Sequence, residues 1–251
     1  MHHLSCLCCG GTPHAFPAPG RRGFLAGGIA AGLAATALPR RDALAASLVP
    51  QTALTPDQAL ALLKKGNDEY MHEAPYSFAH GRERRVELAM GQAPFAVLVG
   101  CSDSRVPPEL LFGRGLGELF IVRNAGNTVD TAALGSVEYG VGVLGCPLVV
   151  VLGHEGCGAV AAALEVMERN TNYPGVIGEM IQPIVPAVLS ARNAIGKVSL
   201  DDAVIANARR VATRLKTQSP ILQAAIRQQK LRVVAARYDL DDGDVQWFED
   251  V

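Results

Sequence analysis

Four short apolar runs constrain this chain more than any other feature. Residues 95–100, 119–123, 148–153 and 231–236 are five or six residues long, rich in Val, Leu and Ala, and nearly free of polar side chains. A strand with one wet face alternates apolar and polar residues. An uninterrupted run is buried on both faces, as in parallel sheets covered by helices. The segments between them read as helices: 131–144 between the second and third runs, then about 157–167, 178–194, 200–216 and a short 220–229 before the fourth. Strands alternating with helices mean βαβ units.

The two ends of this region differ from its middle. Thr55-Pro56-Asp57 opens a helix, with Thr55 as N-cap and Pro56 at the first helical position. Leu60, Leu62, Leu63 and Tyr70 give it an apolar stripe to about Glu73, and residues 82–89 form a charged second helix. At the other end, 238–240 and 245–248 flank Asp241-Asp242-Gly243, a hairpin signal. The expected fold is therefore α/β: a parallel sheet of about four strands flanked by helices, with a short antiparallel C-terminal edge strand.

Composition sets outer limits. The chain has 251 residues, 49% hydrophobic and 19% charged, as an ordinary globular protein does. Its formal net charge is −1 with no basic stripe, so nucleic acid is not an expected partner. Arg21-Arg22 precedes an uncharged Ala/Gly/Leu run over 24–38, too short for a membrane span and right for a signal-peptide core. Ala43-Leu44-Ala45 offers a cleavage site. The run 20–25 resembles a twin-arginine export signal. Residues 1–46 are expected to be removed, leaving a single domain over 47–251 in the periplasm or outside the cell, with membrane contact only during export. Removal also takes away Cys6, Cys8 and Cys9. The remaining Cys101, Cys146 and Cys157 are too few for a disulfide framework.

Two strand ends carry the chemistry. The first strand runs into Cys101-Ser102-Asp103-Ser104-Arg105, the third into Gly153-His154-Glu155-Gly156-Cys157-Gly158. Ligands of open α/β sheets bind beyond the carboxyl ends of the strands. If these strands are neighbours, Cys101, His154 and Cys157 converge, and two thiolates with one imidazole are a zinc set that leaves a fourth position open. Cys146, before Pro147, matches nothing and reads as core.

These paired motifs resemble the signature of the β-class carbonic anhydrases. Arg123-Asn124-Ala125-Gly126-Asn127, Ser136-Val137-Glu138-Tyr139 and Tyr238-Asp239-Leu240 with Gly243 resemble that family too, so that the likeness covers about 55–248. It implies one zinc per chain, carbon dioxide and bicarbonate as substrates, reversible hydration by attack of zinc-bound hydroxide, and a homodimer or dimer of dimers. It further implies an Asp103–Arg105 pair. In a closed state the Asp103 carboxylate fills the fourth zinc position; in an open state Arg105 holds it away. By the same resemblance Gln92 hydrogen-bonds bicarbonate, Phe120 and Tyr139 wall off water, some of these reaching across a dimer interface, and the Gly158 N–H meets developing negative charge. Two thiolates neutralise the zinc charge, so the activity midpoint is expected on the alkaline side of neutrality. The competing readings are a carbonyl sulfide or carbon disulfide hydrolase on the same fold, and a non-catalytic zinc-binding protein.

Overall fold

A computed structural model describes residues 50–251; the expected export signal lies outside the described residues. Five strands, β1 (Ala96–Gly100), β2 (Leu119–Arg123), β3 (Leu148–His154), β4 (Arg232–Tyr238) and β5 (Val245–Phe248), form one sheet in the order β2-β1-β3-β4-β5. The first four are parallel, and β5 runs antiparallel to β4, with Tyr238 opposite Val245. β1 and β3 are buried at every position, as their unbroken apolar sequences require.

Nine helices complete the described residues. They are α1 (Pro56–Met71), α2 (Arg82–Leu88), α3 (Pro108–Leu111), α4 (Thr131–Gly142), α5 (Gly158–Arg169), α6 (Val176–Ile181), α7 (Val185–Ser190), α8 (Leu200–Gln218) and α9 (Pro220–Arg227). α1 starts where expected, and its cap is reciprocal. Thr55 Oγ1 accepts from the Gln58 N–H at 3.2 Å, while Gln58 Oε1 accepts from the Thr55 N–H at 2.9 Å.

Alternating residues of each strand feed two cores. Val97, Val99, Val149, Val151, Val233 and Ala235 face residues of α4, α8 and α9, including Val137, Val211 and Leu222. Ala96, Leu98, Val150, Leu152, Val234 and Ala236 face α1 and α3 through Leu60, Leu63 and Leu111. α1 approaches closely because position 66 is glycine: a Cβ there would lie 1.9 Å from the Phe112 carbonyl oxygen.

Two expectations need correction. Residues 178–194 are not one helix but α6, a 3₁₀ turn at Gln182–Ile184, and α7. Pro183 and Pro186 lack the N–H that would bond four residues back, so the hydrogen-bond ladder is interrupted, although the backbone at 181, 182, 184 and 185 stays right-handed helical. The C-terminal hairpin also turns earlier than expected. β4 runs unbroken to Tyr238, and Leu240 belongs to the turn, which Asp239 N–H closes onto the Asp244 carbonyl at 2.9 Å.

Candidate metal centre

β1 and β3 are direct neighbours, with Gly100 beside Leu152. Their carboxyl ends therefore deliver Cys101 and His154 to one place. Past β3 the chain turns at Gly156, whose φ of +60° suits glycine, and Cys157 caps the start of α5. Gly153, too, is demanded by packing. A Cβ there would sit 3.0 Å from a Val204 methyl, so α8 lies directly beneath the strand end.

The Cys101 and Cys157 sulfurs and a His154 ring nitrogen all lie within 4.8 Å of one another, and all three residues are buried. His154 Nδ1 is 2.8 Å from the Glu155 carbonyl oxygen. A carbonyl can only accept, so Nδ1 carries the proton and Nε2 presents its lone pair. That Nε2 is buried with no hydrogen-bond partner among the described residues. A buried acceptor without a partner costs about 1–3 kcal/mol. A metal ion is the partner that suits one imidazole lone pair and two sulfurs.

The two thiols behave as an unequal pair. The Cys101 thiol is pulled down, first by its contact with Cys157 and against the effect of burial, with help from the N–H of Gly126. Cys157 is pushed up by its contact with Cys101 and by burial. A thiol pair this close is coupled, and a divalent cation between the sulfurs would displace the protons they hold. Cys146 contrasts with both. Burial raises its thiol to about 12, and it donates to the Pro94 carbonyl at 3.3 Å, as a core residue should.

Asp103 stands beside this group. Arg105 grips it as a fork, Nε to Oδ1 at 3.0 Å and Nη2 to Oδ2 at 2.9 Å, and the Arg105 N–H adds a third bond to Oδ1 at 3.0 Å. The guanidinium holds the Asp103 carboxyl well below the usual carboxylate range, against a raising effect of burial. Oδ2 lies 3.9 Å from His154 Nε2. The geometry is that of the carboxylate held by Arg105.

Arg123 is a site residue that the sequence reading left without a role. From the end of β2 its Nε donates to the Cys101 carbonyl at 2.7 Å and its Nη2 to the Asp103 carbonyl at 2.5 Å. It fixes the backbone from which both Cys101 and Asp103 project. Its position at the carboxyl end of a strand was the available signal.

Gly158, at the first position of α5, has open space before its Cα. Gln92, Phe120 and Tyr139 lie elsewhere. Gln92 is exposed, beyond the N-terminal end of β1, in a shallow cleft with Leu88, Met90 and Leu116. Phe120 pairs with Val97, four residues before Cys101, or about 13 Å along the strand. Its ring stacks at 6.1 Å on that of Tyr139, which is 47% exposed on α4. Within one chain these three residues do not meet the Cys101 group.

Comparison with known proteins agrees with this geometry. The carbonic anhydrase family model matches residues 96–245. Carbonic anhydrase 2 of Mycobacterium tuberculosis is 39% identical over 188 residues, 75% of this chain and 90% of that protein. The carbonic anhydrase of Mycolicibacterium smegmatis is 37% identical over 191 residues, 76% of this chain and 92% of that one. Among solved structures, a Coccomyxa β-carbonic anhydrase in complex with acetazolamide superposes with a TM-score of 0.56 at 30% identity, over 78% of this chain and 86% of its own. An Aspergillus fumigatus β-carbonic anhydrase gives 0.59 at 27% identity, over 78% and 91%. With a buried Cys-His-Cys group at the shared end of two parallel strands and these matches along most of its described length, the chain belongs to the carbonic anhydrase family, in its β class.

Proposed function

We propose that this protein is a zinc-dependent carbonic anhydrase, which hydrates carbon dioxide reversibly to bicarbonate and a proton. The observation that carries the reading is the convergence of Cys101, Cys157 and the unpartnered Nε2 of His154, with the Asp103 carboxylate held beside them by Arg105. Zinc held by these three residues would supply a Lewis acid that lowers the pKa of a coordinated water and so provides the nucleophile.

The protein's own groups do the rest. Asp103 remains ionised because Arg105 pairs with it, so Oδ2, 3.9 Å from His154 Nε2, would accept a hydrogen bond from a group bound in front of the three ligand atoms and orient it. Arg105 also keeps this carboxylate from swinging onto the metal position. The N–H of Gly158, at the start of a 12-residue helix, meets negative charge as bicarbonate forms. Gln92, Phe120 and Tyr139 serve the site of a second copy: they lie far from their own Cys101, and Tyr139 and Gln92 are exposed. A homodimer, alone or paired, is thus the functional unit. Residues 1–46 act as a twin-arginine signal that sends the folded enzyme to the periplasm, and Arg21-Arg22 with its short apolar run supports this.

Stopped-flow hydration of carbon dioxide with parallel zinc analysis tests the enzyme reading. Fractionation of cells expressing a protein with Arg21→Lys and Arg22→Lys tests the export reading. An active precursor retained in the cytoplasm is expected, and efficient secretion would refute it.

A further inference from the structure

The turn that follows β2 does more than connect elements. It comprises a 3₁₀ turn, Ala125–Asn127, and Gly126 within it has φ +66°. The Gly126 N–H donates to Cys101 Sγ at 3.3 Å. No side chain fits at position 126, where a Cβ would come within 2.7 Å of Ile184 and 3.0 Å of Ala159. The turn is therefore wedged between α5 and the 3₁₀ turn at 182–184.

Two further hydrogen bonds hold the donor. Asn207, buried on α8, donates from Nδ2 to the Gly126 carbonyl at 2.9 Å. Thr128 donates from Oγ1 to the Ala125 carbonyl at 3.3 Å. That carbonyl belongs to the same peptide unit as the Gly126 N–H. A hydrogen bond accepted at one end of an amide strengthens the donor at the other. Thr128 hydroxyl, the 125–126 amide and Cys101 Sγ thus form one chain, pinned at Gly126 by Asn207. Cys157, by contrast, is met by the backbone N–H groups of Ala159 and Val160 in the first turn of α5.

We infer that Asn207 and Thr128 are positioning residues for the metal centre: Asn207 fixes the turn that aims the Gly126 N–H at Cys101 Sγ, and Thr128 polarises that N–H, drawing charge from the sulfur. A thiolate that donates less leaves the metal more electrophilic, which offsets part of the neutralisation that two thiolates cause. Outer partners of this kind typically change metal affinity or activity by about 10–100-fold. The inference rests on the Cys-His-Cys metal assignment.

The test uses full-length protein loaded with Co²⁺, read by the sulfur-to-cobalt charge-transfer absorption and by competition with a chelator. Wild-type protein that shows no such band would refute the metal assignment itself. With the band present, Asn207→Ala should move it to longer wavelength, as the sulfur becomes more electron-rich, and change Co²⁺ affinity by about tenfold as the unpinned turn lets Cys101 shift. Thr128→Val should move it the same way by less, and Thr128→Ser should restore the wild-type position. Folding of each variant is checked by circular dichroism. A folded Asn207→Ala protein with unchanged band and affinity overturns the inference; if that variant does not fold, an unchanged band in Thr128→Val overturns it.

Discussion

The two strand ends that supply the metal ligands are held by different means. Beyond β1, Cys101 and Asp103 stand on irregular backbone fixed by charged side chains. Arg123 binds the carbonyls of both residues, and Arg105 binds the Asp103 carboxylate. Beyond β3 the regular structure continues. The Glu155 N–H still bonds the Tyr238 carbonyl at 2.9 Å, and the Glu155 carboxylate accepts from the Leu240 N–H at 3.1 Å, which ties the strand end to the β4–β5 hairpin. Cys157 then stands at the start of a helix. One end is thus an adjustable assembly of ions, the other an extension of the sheet. The difference suits their tasks: the β3 end fixes two ligands, while the β1 end fixes one and also controls a carboxylate beside it.

The largest expected effect comes from removing a ligand. Cys157→Ser should lose most of the zinc and reduce carbon dioxide hydration to background, as should Cys101→Ser; metal analysis and stopped-flow assay check both. A Cys157→Ser protein with full zinc and normal rate would contradict this, since the β3 end would then supply His154 alone. Next comes the adjustable end. Arg105→Ala frees Asp103, so zinc should remain bound while turnover falls by about a hundredfold, the scale of a small misplacement at a reacting centre. The cobalt-substituted variant should show a carboxylate in the fourth position. Unchanged turnover would make the Asp103–Arg105 pair a structural contact alone.

A smaller effect concerns groups that belong to neither end. A mixed dimer of one Cys157→Ser chain and one Gln92→Ala chain contains one intact site if Gln92 serves the partner. It should recover about half the wild-type rate, above either homodimer. No gain over the homodimers would assign Gln92 to its own chain.

The smallest expected effect tests the sheet-like end. Asp239, in the hairpin that holds Glu155, has its pKa lowered first by Arg237, which donates to it at 2.9 Å, and then by the Asp241 N–H. A lowered folded-state pKa gives stability that is present above the unfolded value, about 4, and lost as pH falls through the folded one. Asp239→Asn should therefore flatten the acid side of the stability profile and leave the neutral rate nearly unchanged. Denaturant midpoints from about pH 3 to about pH 7 would show this. An acid limb as steep as that of the wild type would contradict it.

Much of this organisation is legible in the residues themselves. The apolar runs announce buried strands because a parallel sheet has no wet face to mark, and Cys101, His154 and Cys157 declare themselves once those runs are neighbours. The hairpin follows from Asp-Gly chemistry. What is not legible depends on register and tertiary contact. Pro183 and Pro186 divide a segment that reads as one helix, and the four-residue α3 is too short to leave a periodicity. Phe120 is a pocket residue by resemblance, and only its pairing with Val97 shows that it lies four residues back from Cys101 of its own chain. Asn207 is a polar residue amid an amphipathic helix, and nothing near it in sequence points to Gly126, 81 residues away. Trp247 packs with the core at the β5 edge, its ring 5.9 Å from that of Phe112, with no signal in the residues around it.

The central claim is that a metal held by Cys101, His154 and Cys157 makes this protein a carbonic anhydrase. The direct measurement is the rate of carbon dioxide hydration by stopped flow, followed while zinc is removed by a chelator and then restored, with zinc per chain determined at each point. One zinc per chain at saturation is expected, with a rate that falls and recovers in proportion to occupancy. Hydration that persists after the zinc is gone, or a fully loaded protein that does not hydrate carbon dioxide, would contradict it.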